Sequence, residues 1–198
     1  MTGKQIRRVR SEQMDSPELK DELERHHQAS YGWALCCCSR DGEQAESVLQ
    51  TVYLKVLEGK AKFDGKSSFK TWLFSVIRKT AADERRRNLL ARLRLVKYEQ
   101  SAGQSTRHEH QDETIYRTQI HELLRQALAR LPKRQREILE LVFYHDLTLA
   151  EAASVTGISV GSARTHYDRG KRRLRQWLDE SEVLNERAGR EQDQRVIQ

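Results

Sequence analysis

Three cysteines, two prolines and ten glycines are all that 198 residues contain of the amino acids that staple, kink or loosen a chain. So little Pro and Gly points to helices. Cys36, Cys37 and Cys38 are adjacent, so on a helix they point about 100° apart and can neither close a disulfide framework nor converge on one metal ion. They read as small packing residues, with a reactive thiol as the minor reading. Long apolar runs are missing too: no stretch approaches the roughly 18 to 20 consecutive apolar residues of a membrane span. Met1–Arg10 is basic but lacks the apolar run of a signal peptide. A cytoplasmic chain without membrane insertion, cofactor or metal is the expectation.

What is abundant is charge. Lys and Arg number 36 against 29 Asp and Glu, a net charge of +7, and charged residues make up 33% of the chain beside 37% apolar ones. A core must therefore come from amphipathic elements with wet outer faces, and a polyanion is the first partner to consider. The charge is unevenly laid out: +4 over 1–10, −6 over 11–59, +9 over 60–97, −2 over 98–129, +3 over 130–180 and −1 over 181–198. Alternating basic and acidic blocks imply localised contacts rather than a uniformly sticky surface.

Helical periodicity runs through most of the chain, and strict alternation is absent. Pro17 to Cys38 reads as one helix. Ala45, Val48, Leu49, Val52, Tyr53, Val56 and Leu57 form the stripe of a second, which Gly59 stops. A third starts after Ser67 and Ser68, either of which can cap it, with Phe69, Trp72, Leu73, Val76, Ile77 and Ala81 inward. Residues 97–117 are polar and short of branched apolars, and read as a linker. The pattern resumes with Ile120, Leu123, Leu124, Ala127, Leu128 and Leu131, and continues past Pro132 with Ile138, Leu139, Leu141, Val142 and Phe143. The fold class is all-α: two small helical domains, 11–96 and 118–180, joined by a flexible linker and followed by a polar tail, 181–198.

Thr148-Leu-Ala-Glu151 is a capping box that starts a short helix, Gly157 suits a tight turn, and Ser159 can cap the helix after it. Helix, glycine turn and helix at this spacing make a helix-turn-helix, whose second member enters the major groove. Ala163, Tyr167, Gly170, Leu174, Trp177 and Leu178 would face inward on that second member. Ser162, Arg164, Thr165, His166 and Arg169 can reach base edges, while Lys171, Arg172, Arg173 and Arg175 neutralise phosphates. The bland alternative is a solvated helix with a basic end that complements its own dipole.

The helix from Phe69 to Arg87 sets Lys70, Thr71, Phe74, Ser75, Arg78, Lys79, Ala82, Arg85 and Arg86 opposite its apolar stripe. Cations with a ring among them suit a nucleic-acid strand, since a ring stacks on a base while amines and guanidinium groups hold phosphates. Phe74 reads equally well as an aromatic at the edge of the core. The Lys-rich loop of residues 60–68 could cup an unstacked base.

The two lobes together resemble the extracytoplasmic-function group of bacterial RNA polymerase sigma factors, over roughly residues 17–180. Ala45-Glu-Ser-Val-Leu-Gln-Thr-Val-Tyr-Leu54 is similar to the polymerase-binding helix of sigma domain two. Phe63-Asp-Gly-Lys-Ser-Ser-Phe-Lys-Thr-Trp-Leu73 with Arg78, Asp83 and Arg85-Arg-Arg87 is similar to its promoter-melting segment, and Leu131-Pro-Lys-Arg-Gln-Arg-Glu-Ile-Leu139 through Leu178 resembles sigma domain four. The resemblance implies a polymerase subunit that is not itself an enzyme. Glu46, Leu49, Gln50, Tyr53 and Leu54 would bind core RNA polymerase. Lys62, Phe63, Lys66, Ser67, Ser68, Lys70, Phe74, Arg78, Lys79, Arg85 and Arg86 would open and hold the minus-ten element of promoter DNA. Ser162, Arg164, Thr165, His166, Arg169, Lys171, Arg172 and Arg173 would read the minus-thirty-five element as duplex. An anti-sigma factor covering the polymerase-binding surface is a further expected partner.

Some positions depart from the family pattern: Ser47 follows Ala-Glu where an acidic residue is usual, Lys79 stands where Asn is frequent, and His166, Asp168 and Gly170 are unusual on the recognition helix. Promoter sequence therefore does not transfer. Two other readings compete. A dimeric helix-turn-helix regulator leaves the basic face around Arg78 and Arg85 unexplained. A nucleic-acid enzyme would draw on His26, His27, His108, His110 and the cysteines, none of which has metal-ligand spacing backed by a second cluster.

Overall fold

The computed structural model describes residues 16–96 and 126–179. The expected linker, the polar tail, His108 and His110 lie outside them. The helices are α1 (Ser16–Arg25), α2 (His27–Cys37), α3 (Gly42–Leu57), α4 (Phe69–Val96), α5 (Lys133–Phe143), α6 (Leu149–Thr156) and α7 (Val160–Asp179). Residues 126–130 add a helical turn ahead of α5, and no strand occurs among the described residues.

Local chemistry sets most boundaries. Asp41 caps α3 by accepting from Gln44 N at 3.0 Å, and Ser68, rather than Ser67, caps α4 by accepting from Thr71 N at 3.2 Å. The stretch expected as one helix from Pro17 to Cys38 is divided at His26, which is turned out of helical geometry (φ −99°, ψ 5°) and lays its ring along that of Phe69, centroids 6.1 Å apart. The capping box is complete: Glu151 N donates to Thr148 Oγ1 at 3.2 Å and Thr148 N to Glu151 Oε2 at 2.9 Å. Hydrogen bonds from the Thr148 backbone and hydroxyl hold the Glu151 carboxyl below its usual range.

Apolar stripes then bring the helices together. Ala45, Val48, Leu49, Val52 and Val56 of α3 are buried among Trp33, Ala34, Cys36, Cys37, Leu73, Phe74 and Ile77 of α2 and α4. Each large apolar side chain removed from water contributes about 1.5 to 3 kcal/mol. The centre of this layer is Trp33, fully enclosed, whose Nε1 donates to Phe74 O at 3.0 Å.

The two lobes do not stand apart. Ile138, Leu141, Leu147, Ala152, Ala153, Val155 and Ala163 of the second lobe belong to the same buried cluster as the first lobe's core. Helix α4 packs along α6, and α2 meets α5. Leu128, Leu131 and Leu139 form a smaller satellite cluster.

The cysteine triplet lies inside this shared core. Burial pushes the thiol of Cys36 up to about 12, that of Cys38 to about 11, and that of Cys37 well above the usual value. The thiolate, which is the reactive form, is therefore suppressed, in line with a packing role. Among the described residues no cluster of metal-ligating side chains occurs.

Three described residues other than glycine have left-handed backbone: Ser39 (φ 59°) and Arg40 (φ 69°) between α2 and α3, and Asp146 (φ 53°) between α5 and α6.

Candidate nucleic-acid interface

Helix α7 is held by its inner face and free on its outer one. Ala163 and Gly170 are buried, and Tyr167, Leu174, Trp177 and Leu178 are half-buried, as the sequence pattern requires. Gly170 explains itself here: a Cβ at that position would lie 2.9 Å from Leu139 Cδ1 and 3.3 Å from Gln135 Cβ. The residue that departs from the family pattern is the one that lets α7 lie close on α5. Gly170→Val is expected to destabilise the fold by about 1 to 3 kcal/mol through overpacking. Urea unfolding followed by circular dichroism would show it, and an unchanged midpoint would mean that α7 does not lie this close.

Ahead of α7, Gly157 makes the turn in left-handed geometry (φ 66°, ψ 40°), and Ser159 Oγ accepts from Ser162 N at 3.1 Å. The exposed side then carries Ser162, Arg164, Thr165, Arg169, Lys171, Arg172, Arg173 and Arg175. Asp168, Lys171, Arg172, Arg175, Gln176 and Asp179 line a shallow cleft on it. His166 sits differently: it is half-buried and its Nδ1 is enclosed, so it is the least available of the residues expected to read bases. The basic stripe stays clear of the core because the apolar positions of α7 recur at three- and four-residue steps.

The other expected strand-binding residues are spread over two environments. Lys62, Lys66, Ser68, Lys79, Arg85 and Arg86 are exposed. Lys66 pairs with Asp64 at 2.7 Å, which lowers the Asp64 carboxyl and raises the Lys66 amine. Arg86 lies 3.8 Å from Asp83, and Arg85 Nη2 donates to the backbone oxygen of Cys37. Ser67 is half-buried, and Phe63 packs on Phe69 and Trp72, with centroids 5.5 and 5.4 Å apart, which shapes the loop.

Phe74 requires a correction. It has no exposed surface, stacks on Trp33 at 5.9 Å and meets His145 edge-on at 4.8 Å. In this arrangement it is a core residue and not a platform for a base. Lys70 and Arg78, on the same side of α4, are half-buried because that side faces the second lobe rather than solvent.

On α2 and α3, His27, Tyr31, Glu46, Leu49, Gln50 and Tyr53 line a mainly apolar groove of about 390 Å³. Four of the five residues expected to meet polymerase are thus together. Leu54 is 58% exposed, whereas Leu49 is only 4% exposed and faces the core, so its contribution is to support the groove's floor. His27 and Tyr31 are additions that the sequence pattern does not single out. His27 Nδ1 lies 3.1 Å from Tyr53 Oη, a contact between residues 26 positions apart that no local pattern announces.

A helix-turn-helix with an exposed basic second helix, fused through a common core to a helical lobe with its own basic helix, defines a DNA-binding protein. The family description "Sigma-70 region 2" matches residues 23–89, and "Sigma-70, region 4" matches residues 121–174. The chain is 30% identical over 160 residues to the ECF RNA polymerase sigma factor SigX of Bacillus subtilis, covering 78% of this chain and 80% of that one. It is 31% identical over 136 residues to the ECF RNA polymerase sigma factor RpoE of Cereibacter sphaeroides, covering 68% and 72%. The fold is shared with the sigma factor RpoE in its co-crystal structure with the anti-sigma factor NepR from Bartonella quintana. That match has a TM-score of 0.63 at 20% identity and covers 83% of this chain and 98% of that one. CnrH, in complex with the cytosolic domain of CnrY, matches with a TM-score of 0.56 at 20% identity over 84% and 92%.

The chain belongs to the extracytoplasmic-function group of the sigma-70 family of RNA polymerase sigma factors. It is a promoter-directing subunit, and sigma factors act as regulatory subunits of polymerase. No helix among the described residues is long and apolar enough to cross a membrane.

Proposed function

We propose a division of labour in which residues 118–180 read the minus-thirty-five element as duplex and residues 11–96 bind core polymerase and open the minus-ten element. The observation that carries it is the row of exposed side chains on α7, Ser162, Arg164, Thr165, Arg169, Lys171, Arg172 and Arg173, on a helix locked to its lobe by Gly170 and Ala163. Arg164 and Arg169 are assigned to guanine edges and the later cations to phosphates. Lys62, Lys66, Ser68, Lys79, Arg85 and Arg86 are assigned to the melted strand, joined by Lys70 and Arg78 when they are uncovered. The groove floored by Leu49, together with Glu46, Gln50, Tyr53 and Leu54, is assigned to polymerase.

No bond is made or broken by this chain, which works in the cytoplasm. Its RpoE and CnrH neighbours are held in complexes with NepR and with the cytosolic domain of CnrY. An anti-sigma partner for this chain follows the same reading. Unpairing a base costs a few kcal/mol, so both lobes are tethered to polymerase to turn two weak contacts into one bivalent engagement.

Transcription in vitro with core polymerase and genomic fragments tests the reading. Mapped start sites should share two spaced elements, and Arg169→Ala should reduce initiation about tenfold, the typical worth of one bidentate base contact. Tight footprinting of a symmetric duplex by the protein alone, with no initiation on adding core polymerase, would support the dimeric regulator instead.

A further inference from the structure

The exposed side of α7 is basic along most of its length, and one residue in the middle of it is not. Successive residues of a helix turn by about 100°, so Gly161, Thr165, Asp168 and Arg172 share a sector of about 60°. That sector points away from the buried Ala163 and Gly170, which fix α7 to its lobe. Arg164 and Arg169 stand on either side of it. The centre line of the outward face thus runs glycine, threonine, aspartate, arginine, and a carboxylate holds the place with direct reach into a groove.

The neighbours of Asp168 are less free to read bases than their identities suggest. Thr165 Oγ1 donates its hydrogen to Gly161 O at 3.0 Å, inside the helix. Ser162 Oγ accepts from Ser159 Oγ at 2.9 Å, within the cap. His166 is turned to the flank with its Nδ1 enclosed. Asp168 is exposed and makes no hydrogen bond or ion pair with any described residue, although Arg164 and Arg172 lie four residues to either side and Lys171 three residues on.

We propose that Asp168 reads a cytosine in the duplex bound by α7, accepting a hydrogen bond from the exocyclic amine, and so sets the base preference at one position of the minus-thirty-five element. This rests on the duplex-reading role assigned above to α7. An ionised carboxylate is an acceptor only, and in the major groove cytosine offers a donor at N4 with no acceptor on the same base edge. Guanine shows two acceptors, N7 and O6, and thymine shows O4 beside a methyl group, so each leaves the carboxylate unpaired or repels it. Adenine offers its N6 amine, but N7 beside it faces the second carboxylate oxygen. The guanine paired with the cytosine presents N7 and O6 on the same base pair, which suits the guanidinium groups that flank the carboxylate. Those cations also offset the repulsion between Asp168 and the phosphates. What the carboxylate adds is rejection: a charge left without a partner in the groove penalises the wrong base more than a neutral side chain would.

The test uses polymerase holoenzyme containing the full chain. Start sites mapped on genomic fragments locate the upstream element, which is then changed one base pair at a time to each of the four, with initiation in vitro as the readout. At one position the wild type should favour cytosine at least about fivefold over any other base, the lower end of the cost of one mismatched base pair. Asp168→Ala should remove that preference and leave those at the other positions as they are. Asp168→Asn keeps the shape, adds an amide donor and should move the preference to adenine, which an amide meets through N6 and N7 together. Unchanged or uniformly stronger initiation by Asp168→Ala, with every base preference intact, overturns this inference alone, since the carboxylate then reads nothing. It is overturned equally if the position levelled by Asp168→Ala is one at which the wild type favours another base. Wild-type initiation indifferent to every base pair of the upstream region removes the duplex-reading assignment of α7 as well.

Discussion

Trp33→Ala is expected to lower the unfolding free energy by about 3 to 5 kcal/mol, the usual loss when a large buried aromatic is truncated. Three losses combine there. The side chain is completely enclosed, its indole N–H donates to Phe74 O at 3.0 Å, and it touches both Phe74 of its own lobe and His145 of the other. Few single side chains in this molecule tie α2, α4 and the second lobe together at once. Trp33→Phe keeps part of the volume and should lose markedly less. Urea unfolding followed by far-ultraviolet circular dichroism would measure both, and a loss below about 1 kcal/mol for the alanine variant would contradict the packing described here.

Acid should weaken the same region through His145. Burial first, then Lys70 and Arg40, push its imidazole down to about 4 from 6.5, and only its neighbour Asp146 acts the other way. A histidine whose folded pKa is depressed binds fewer protons in the folded state than in the unfolded one. Its neutral form therefore contributes stability that is fully present above pH 6.5 and is lost as pH falls from 6.5 towards about 4. At about pH 5 the loss amounts to roughly 2 kcal/mol, because protonation of the unfolded chain's imidazole draws about 1.4 kcal/mol from the folded state with each further step of one in pH. Glu140 acts in opposition: burial, its largest influence, raises its carboxyl despite Arg40 and Arg136. Folding thus takes up a proton at Glu140 at and above the ordinary carboxylate range, which overlaps the acid side of the His145 titration, so the His145 effect is read between about pH 6.5 and 5 as the difference between the wild type and a variant that keeps Glu140. Between the two ends of that window, urea stability should fall by about 1.6 kcal/mol more for the wild type than for His145→Leu. Parallel pH profiles for the two proteins would rule out the buried neutral imidazole.

The parts legible in the sequence are those that neighbours in the chain decide. Thr148 and Glu151 are three residues apart and satisfy each other's backbone, Gly157 answers a local need for left-handed geometry, and the stripe of α3 follows the helical repeat. The groove residues Glu46, Gln50 and Tyr53 are singled out only by the resemblance of residues 45–54 to a polymerase-binding helix, since neither Glu46 nor Gln50 belongs to the apolar stripe. Contacts between distant segments leave no such trace. Glu137 and Glu140, three apart on α5, look like solvated charges until α4 and Arg40 are brought beside them. Phe74 lies between Lys70 and Arg78 in what reads as a mixed polar face, because one periodic stripe identifies one buried side, and α4 has two. His145 carries no signal at all, since a lone imidazole in a short connection makes no pattern, and its role exists only where the lobes meet.

The left-handed residues Ser39, Arg40 and Asp146 bear on what the two inter-helix bends cost the fold. L-residues in that geometry carry a backbone penalty of about 1 to 2 kcal/mol each, smaller for Asp. Arg40 itself holds Glu140, and Asp146 directly follows the buried His145. Each bend lies between two helices of its own lobe, so its backbone cost is one that the packing of that lobe must offset, and glycine in place of Ser39 would remove a strain that the native residue carries.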